Sequence, residues 1–430
     1  MARHGSGNDG SGRDWALVLT LGLTETTSYG VLYYAFTVFI TPMQAELGWS
    51  RSALTGAFSL ALLISGVAGL LVGHWLDHHG PHALMTIGSC CAVALTVLWS
   101  QIHNLTLFYV LWAAIGVVMA AVLYEPAFWV IARRFTRRRG RALTMLTFIA
   151  GLASVIYVPL AGALVQAQGW RGALITLAII LGVGTIPAHA LALRGVHAPM
   201  ASDAPTAPAD TGGEPASSQS SVTESPTRSI TRDEALRSGA FWWITAAFFL
   251  ITLSTAALTV HLVPLLTDRG YSPTFATSTV GAFALMAMPG RLIFTPLGDR
   301  FRRSWVIAFI FIVHALGMLS LLFVPGLAGI VGFVVLFGMG FGAVTPARAG
   351  LVAEVYGPAH YGQISSIVAL ATMLARALGP LGMSLLYEYG GGYPVALAAL
   401  IVAALLGVLA LALADQQTAR ARLSGGKLVA

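Results

Sequence analysis

Long apolar stretches separated by short polar connections run along almost the whole chain. Each stretch holds about 20 or more mostly apolar residues, the length that an α-helix needs to cross the ~30 Å hydrocarbon layer of a membrane. The pattern predicts twelve spans, numbered in chain order: 15–42, 52–73, 83–101, 105–132, 142–166, 172–193, 241–267, 275–297, 304–324, 326–352, 364–387 and 393–414.

The composition supports a membrane protein. Of the 430 residues, 57% are hydrophobic and 10% are charged, whereas soluble domains carry about 25% charged residues. We therefore expect an all-α polytopic membrane protein. The formal net charge of +7 does not indicate nucleic-acid binding, because the basic residues gather in particular loops.

Arginine is unevenly divided between the even-numbered loops and the odd-numbered loops. One set, with the C-terminal tail, holds Arg133, Arg134, Arg137, Arg138, Arg139, Arg141, Arg300, Arg302, Arg303, Arg420, Arg422 and Lys427, and the other holds only Arg51, Arg171 and Arg269. The positive-inside rule then predicts that both termini and the even-numbered loops are cytoplasmic, as for a protein of a bacterial inner membrane. Contact of these arginines with anionic lipid is also expected.

The two halves of the chain match at one fixed spacing. The segment 42–50 recurs at 264–272, and Asp77 recurs as Asp299, both with an offset of 222 (264 − 42 and 299 − 77). Such duplication predicts two six-helix halves with a substrate site between them, as in secondary transporters. The predicted units are the first half at 1–194, a flexible linker rich in Ala, Pro, Ser and Thr at 195–240, the second half at 241–414, and a tail at 415–430.

One loop motif resembles a known family. The run Gly73-His74-Trp75-Leu76-Asp77-His78-His79-Gly80 follows span two, and its copy around Asp299-Arg300 follows span eight. Both resemble the loop signature of the major facilitator superfamily, although His78, Pro81 and His82 stand where basic residues are usual. The resemblance implies the twelve-helix fold of that family and a gating role for Asp77 and Asp299.

A finer resemblance is to the monocarboxylate transporters within that family. Tyr34-Ala35-Phe36 in span one and the run from Arg134 to Leu143 are similar to their patterns, and Arg291 lies where they have a substrate-pairing arginine. Two positions depart from the pattern of that family. Its acidic residue four places before this arginine is replaced by Ala287, and its span-one lysine falls near Tyr34. Bacterial oxalate/formate exchangers are an equally good match.

Five ionisable residues fall within predicted spans. An ionisable side chain at mid-bilayer costs at least ~2.5–3.5 kcal/mol, so each one needs a structural or functional reason. We interpret Arg291 and Arg376 as candidates for pairing with a substrate carboxylate, and Arg348 as a gating or structural residue. Each of the five could instead form a fixed ion pair, so both readings stay open: Glu25, Glu125, Arg291, Arg348 and Arg376.

Further residues are candidates for proton coupling and for hydroxyl contacts with the substrate. Glu125, in Tyr124-Glu125-Pro126, is the first candidate for proton coupling, Glu25 the second and His261 the third. Five tyrosines on presumed cavity helices are candidate substrate contacts, although tyrosines in spans are more often packing residues: Tyr29, Tyr33, Tyr34, Tyr124 and Tyr157.

These features predict a proton-coupled transporter of a small organic anion, and most simply of a monocarboxylate, that works by alternating access. Efflux of an apolar drug or metabolite is the alternative within transport, and a non-transporting membrane sensor with the same fold is the alternative outside it. No nucleophile–base cluster indicates an enzyme, no residue pattern indicates a metal or cofactor, and no phosphate-binding loop indicates ATP use. The expected partners are the anion, a proton and lipid, and the expected state is a monomer.

Overall fold

The computed structural model describes residues 12–136, 138–196 and 230–423, and all regular elements in these ranges are helices. Arg137 and residues 197–229 of the predicted linker lie outside the described residues, as do the ends 1–11 and 424–430.

Most predicted spans are single helices, and spans one, four and five are interrupted. Spans two and three are Arg51–His79 and Pro81–Ser100, and spans seven to twelve are Gly239–Asp268, Pro273–Leu297, Arg303–Phe323, Gly326–Tyr356, Tyr361–Gly390 and Tyr393–Leu423. Span one comprises Gly12–Tyr29, a π-helical turn at Gly30–Tyr34, and Phe36–Leu47; span four comprises Leu105–Val122 and Tyr124–Arg134. Span five begins as Arg139–Ala150 and continues in Ala153–Ala192, which also contains span six.

The predicted number of spans agrees with these helices. Ten helical segments of the described ranges are long and apolar enough to cross a membrane. One of them, Arg139–Ala192, changes direction at Gly169, where φ is 72°, and so provides spans five and six. With span one this gives twelve crossings. Several helices extend beyond the predicted boundaries. Span two continues to His79, span seven begins at Gly239, and span twelve continues to Leu423, so that part of the predicted tail is helical.

The repeated segments form equivalent turns in the two halves. Gly48 and Gly270 have φ values of 69° and 86°, which only glycine adopts at low cost, and each ends the helix before the turn. Two residues later, Ser50 and Ser272 accept hydrogen bonds from the backbone N–H groups of Ala53 and Phe275, at 3.1 and 3.2 Å. These serines cap the first turns of spans two and eight. The spacing of 222 residues therefore repeats structure as well as sequence.

The end of the linker is attached to the second half. The helix Arg232–Arg237 begins after Thr231, whose side chain and that of Glu234 form a capping box. The N–H of Ile230 donates to the carbonyl of Tyr356 at 3.0 Å, and the indole N–H of Trp242 donates to Leu236 at 2.9 Å. The short helix is therefore positioned against spans seven and ten.

The two halves meet along two equivalent pairs of spans. Span two packs against span eleven, and span five packs against span eight. Because the offset of 222 converts span two into span eight and span five into span eleven, the two contacts are related by the internal repeat. Several hydrogen bonds that join the halves lie near the ends of these spans that carry Asp77, Asp299 and the Arg133–Arg141 loop. We call this part of the molecule the arginine-rich end.

Two aspartates cap helices of the opposite half at this end. Asp77 accepts hydrogen bonds from the N–H groups of Gly362 and Gln363, at 3.0 and 2.9 Å, where span eleven begins. Asp299 accepts from the N–H groups of Gly140 and Arg141, at 3.0 and 3.3 Å, where span five begins. The first N–H groups of a helix have no intrahelical partner, and a carboxylate there also interacts favourably with the helix dipole. Each half thus completes a helix of the other.

The surroundings of the two aspartates differ. Asp299 also pairs with Arg303 at 3.0 Å, and the same guanidinium reaches Glu354 at 2.8 Å. The position equivalent to Arg303 is Pro81, which has no charge to offer Asp77. The indole N–H of Trp129 takes that place and donates to Asp77 at 2.7 Å. The departure of the first motif from the usual basic pattern is therefore compensated by a residue of span four.

Spans two and eleven approach closely next to Asp77. A Cβ atom added at Gly73 would lie 2.2 Å from the carbonyl oxygen of Gly362, and one at Gly362 would lie 2.4 Å from the carbonyl oxygen of Gly73. Both obstacles are backbone atoms, so no side-chain rotation could relieve the overlap. The closed arrangement of this end therefore requires glycine at both positions.

We predict that Gly73→Ala separates the halves at the arginine-rich end, because the added methyl group costs about 1–3 kcal/mol as overpacking in the closed arrangement. Spin labels at His79 and Arg300, two exposed positions in different halves, should report a longer distance in the variant when Cys90 and Cys91 are replaced. The control is Gly69→Ala, one turn earlier on the same helix, where a Cβ would meet nothing within 4 Å. Equal distances in the two variants would show that the glycine contact does not hold this end closed.

Candidate functional site

Interrupted helices mark the middle of the first half. At the π-helical turn of span one, the N–H of Ala35 donates to the carbonyl of Gly30, five residues earlier, at 2.9 Å. Span four breaks at Leu123, directly before Tyr124-Glu125-Pro126, where Pro126 has no N–H to continue the helix. Such irregularities inside membrane helices are common at functional sites. Tyr33 and Tyr34 belong to the π-helical turn, and Tyr124 directly follows the break in span four.

Four of the five predicted tyrosines form one cluster. The ring centroids of Tyr29 and Tyr124 are 4.7 Å apart, those of Tyr33 and Tyr34 are 5.1 Å apart, and Tyr29 links the two pairs. All four rings are half-buried. The cluster therefore offers hydroxyl groups and aromatic edges from spans one and four.

The fifth tyrosine is placed differently. Tyr157 is buried, donates a hydrogen bond to the hydroxyl of Thr27 at 3.1 Å, and packs on Gly30, where a Cβ would lie 2.2 Å from its ring. It holds spans one and five together within the first half. His261 is likewise confined to one half, with Tyr393, Ser384 and the carbonyl of Pro380 at 3.1–3.3 Å from its ring nitrogens.

Glu125 forms an ion pair between the halves. Its carboxylate accepts from Arg348 of span ten at 2.5 Å and from the hydroxyl of Ser365 in span eleven at 2.9 Å. Arg348 is buried. Of the two readings that the sequence leaves open for these residues, the structure shows the ion pair, and the pair lies between the tyrosine cluster and the arginine-rich end.

Arg291 also bridges the halves, but through backbone carbonyl groups. Its Nη1 donates to Thr147 of span five at 2.7 Å, and its Nε donates to Gly342 of span ten at 3.1 Å. The Gly342 carbonyl has no helical partner, because the residue four places later is Pro346. Gly151 makes room for the guanidinium, since a Cβ there would lie 2.1 Å from Nη1.

Arg376 is an arginine of the central region that has no partner among the described residues. Its side chain is exposed, and it makes no hydrogen bond or ion pair with any residue in the described ranges. It lies close enough to Tyr29, Tyr34 and Tyr124 to interact electrostatically with their hydroxyl groups. Span eleven of the second half thus presents a free guanidinium to the tyrosine cluster of the first half.

Glu25 presents the opposite situation. The side chain is fully buried, and neither carboxyl oxygen has a hydrogen-bond partner among the described residues. Tyr29, Tyr124 and Glu125 are within electrostatic range. Burying an ionised carboxylate without a partner is very costly, so the stability of this arrangement depends strongly on whether Glu25 is protonated.

The sequence therefore indicates most of the members of this site but not their partners. Tyr29, Tyr33, Tyr34, Tyr124, Glu25, Glu125, Arg291, Arg348 and Arg376 lie around one central region, whereas Tyr157 and His261 lie within single halves. Three contributors were not predicted, namely Ser365 and the carbonyl groups of Thr147 and Gly342. Pro346 was the available signal for Gly342, because a proline inside a span frees the carbonyl four residues before it.

Comparison with known proteins agrees with this architecture. The model of the Major Facilitator Superfamily matches residues 22–295 and 246–428. Monocarboxylate transporter 13 of Bos taurus is 26% identical over 391 residues, which are 90% of this chain and 84% of the relative. The oxalate:formate antiporter of Oxalobacter formigenes is 22% identical over 375 residues, covering 86% and 84%.

Solved structures show the same fold. The crystal structure of the transporter FucP in the outward conformation superimposes with a TM-score of 0.71 over 93% of this chain and 98% of that chain, at 15% identity. The family and these relatives are transporters rather than enzymes. This chain, a multi-pass integral membrane protein with two six-helix halves, belongs to the Major Facilitator Superfamily.

Proposed function

We propose that the protein carries a small organic anion, most simply a monocarboxylate, across the membrane together with a proton. The observation that carries this proposal is the free guanidinium of Arg376 beside the tyrosine cluster. A guanidinium binds a carboxylate through two parallel N–H···O bonds, which supply both affinity and orientation.

The charges of the central region favour an anion over a cation or a neutral molecule. Glu125 and Arg348 neutralise each other. Arg291 donates to carbonyl oxygens, which satisfy its N–H groups without cancelling its charge. Two positive charges, on Arg291 and Arg376, therefore lack a paired carboxylate, and an anionic substrate would supply one. The similarity of this chain to a monocarboxylate transporter and to an oxalate:formate antiporter supports this substrate class.

Arg376 takes the leading role in binding the anion, and Arg291 takes a second one. The Nε and Nη1 atoms of Arg291 are already engaged with both halves. A carboxylate that approached Arg291 would compete with these carbonyl groups and weaken a connection between the halves. Substrate binding is thereby coupled to the rocking motion that alternating access requires.

Glu25 is the better candidate for the proton. Glu125, the first candidate from the sequence, is held by Arg348 and Ser365, whereas Glu25 has no hydrogen-bond partner among the described residues. A buried carboxyl group that gains a proton in one state and loses it in another couples the proton to the conformational change. Glu25 also lies on span one, the same helix as three of the clustered tyrosines.

The arrangement corresponds to one state of the transport cycle. The capping aspartates close the arginine-rich end, and we infer that the central region opens toward the opposite end. With the orientation that the arginine distribution predicts, in an inner membrane with cytoplasmic termini, this state faces outward. Asp77 and Asp299 act as gating residues of the closed end, and Arg348 acts with Glu125 just above them.

We predict that Arg376→Gln lowers the affinity for small carboxylates at least tenfold, or about 1.4 kcal/mol, because it removes the free guanidinium. Binding is measured as the rise in melting temperature of the purified protein with lactate, formate and oxalate. The control is Arg300→Gln, which removes an exposed arginine outside the central region. Unchanged affinity in the Arg376 variant would refute the assignment of this residue.

We predict that Glu25→Gln stops proton-driven accumulation but leaves substrate exchange at equal pH, because the amide keeps the shape of the carboxyl group without its titration. Both activities are measured in proteoliposomes, with and without an imposed pH gradient. Glu125→Gln is the comparison, and it should lower thermal stability instead, because it leaves the buried charge of Arg348 without its partner, which costs about 3–5 kcal/mol. Normal gradient-driven accumulation by Glu25→Gln would exclude Glu25 as the proton carrier.

A further inference from the structure

A cavity opens at the arginine-rich end, away from the central region. Its volume is about 330 Å³, and it is lined by Arg13, Asp14, Leu17, Arg134, Ala192, Arg194 and Gly195. The lining comes from the start of span one, the end of span four and the end of span six. Small-molecule sites have volumes of roughly 300–1,000 Å³, so the cavity can hold a compact polar group.

The lining carries an excess of positive charge. It has three arginines and one aspartate, which is a net charge of +2 (3 − 1). Arg134 reaches Asp14 only at 3.8 Å and the carbonyl of Gly195 only at 3.5 Å. Within the described ranges, the side chains of Arg13 and Arg194 make no hydrogen bond or ion pair. Most of the guanidinium N–H groups around the cavity are therefore available to a ligand.

The depth and polarity of the cavity suit an amphipathic anion. Trp15, next to Asp14, packs edge-on against Phe135 at 5.3 Å, and tryptophan is enriched where membrane helices meet the headgroup layer. Leu17 and Ala192 provide apolar surface beside the arginines. Leu191, the neighbour of Ala192, is 62% exposed and would face the acyl chains. The charged groups thus lie at headgroup depth, with apolar contacts beside them.

The second half does not repeat the three arginines, because the positions 222 residues after Arg13, Arg134 and Arg194 are Ala235, Tyr356 and Gln416. Near the corresponding rim, Arg302 makes two hydrogen bonds of 2.8 Å with Asp415, and Ser304 donates to the same carboxylate at 3.1 Å. An arginine that is paired in this way offers little to an external anion. The surplus charge is therefore a feature of spans one, four and six and not a general property of this end.

We propose that this cavity binds a phosphate group, as a monoester or diester, through Arg13, Arg134 and Arg194. Phosphate oxygens match the forked donors of arginine, and basic pockets between membrane helices are suited to anionic lipid headgroups. A bound headgroup would tie the ends of spans one, four and six together and would stabilise the first half. The inference does not depend on the identity of the transported substrate.

The test uses the full-length protein, purified in detergent and stripped of lipid. Phosphatidylglycerol, phosphatidylcholine and inorganic phosphate are added separately, the last against sodium chloride of equal ionic strength, and the melting temperature is recorded. We expect phosphatidylglycerol to raise the melting temperature and phosphatidylcholine not to, with the effect weakening at high salt. Arg194→Gln should weaken the apparent affinity for phosphatidylglycerol at least tenfold, and Arg194→Lys, which keeps the charge but loses the forked donors, should weaken it less.

The controls separate the possible results. Arg300→Gln, at the same end but outside the cavity, should respond like the unmodified protein. A response to inorganic phosphate alone would support the phosphate site with a soluble phosphate as its ligand. The proposal is wrong if none of the three additives raises the melting temperature. It is also wrong if the double variant Arg13→Gln with Arg194→Gln responds to phosphatidylglycerol like the unmodified protein. Arg194 makes no side-chain bond with a described residue, so its replacement should leave the fold intact.

Discussion

The closed arrangement of this transporter depends on the capping of helix N-termini by carboxylates from the other half. A helix that begins inside a protein leaves several N–H groups without partners, and burying them unsatisfied costs free energy. Asp77 satisfies two such groups of span eleven, and Asp299 satisfies two of span five. These contacts do not pair the aspartates with a charged side chain of the other half. Their electrostatic attraction comes from the helix dipole, so it is lost when the helix end moves away. Separation of the halves therefore leaves both the aspartates and the helix N–H groups without their partners.

The central region follows the same logic with different partners. Carboxylates and guanidinium groups that meet across the halves stabilise the closed end, as Glu125 and Arg348 do. Arg291 uses carbonyl oxygens instead, so it connects the halves while keeping its charge. Arg376 and Glu25 have no such partner among the described residues, and they are the two residues that we propose for substrate and proton. A single region can thus hold the halves together and still respond to what binds.

Much of the fold could be predicted from the sequence, because length and hydropathy determine membrane helices and the repeat of 222 residues relates the halves. The turns at Gly48 and Gly270 follow directly from that repeat. The interruptions were harder to predict, since the π-helical turn at Gly30–Tyr34 contains no proline and arises from packing. The candidate site could be predicted only as a set of residues. Which of the five charged groups pair with one another depends on the register of spans four, ten and eleven, and no local sequence signal contains that register.

The central claim is that the two aspartate caps act as one unit that holds the halves together. Hydrogen–deuterium exchange of peptides containing Gly140 and Arg141, and of peptides containing Gly362 and Gln363, tests it directly, because N-terminal helix amides are protected only by these carboxylates. In the unmodified protein all four amides should exchange slowly. Asp77→Ala should speed exchange at span five as well as span eleven, and Asp299→Ala should do the same, because the halves separate as rigid bodies. Faster exchange confined to the helix next to the replaced aspartate, or no change at either helix, would contradict the account.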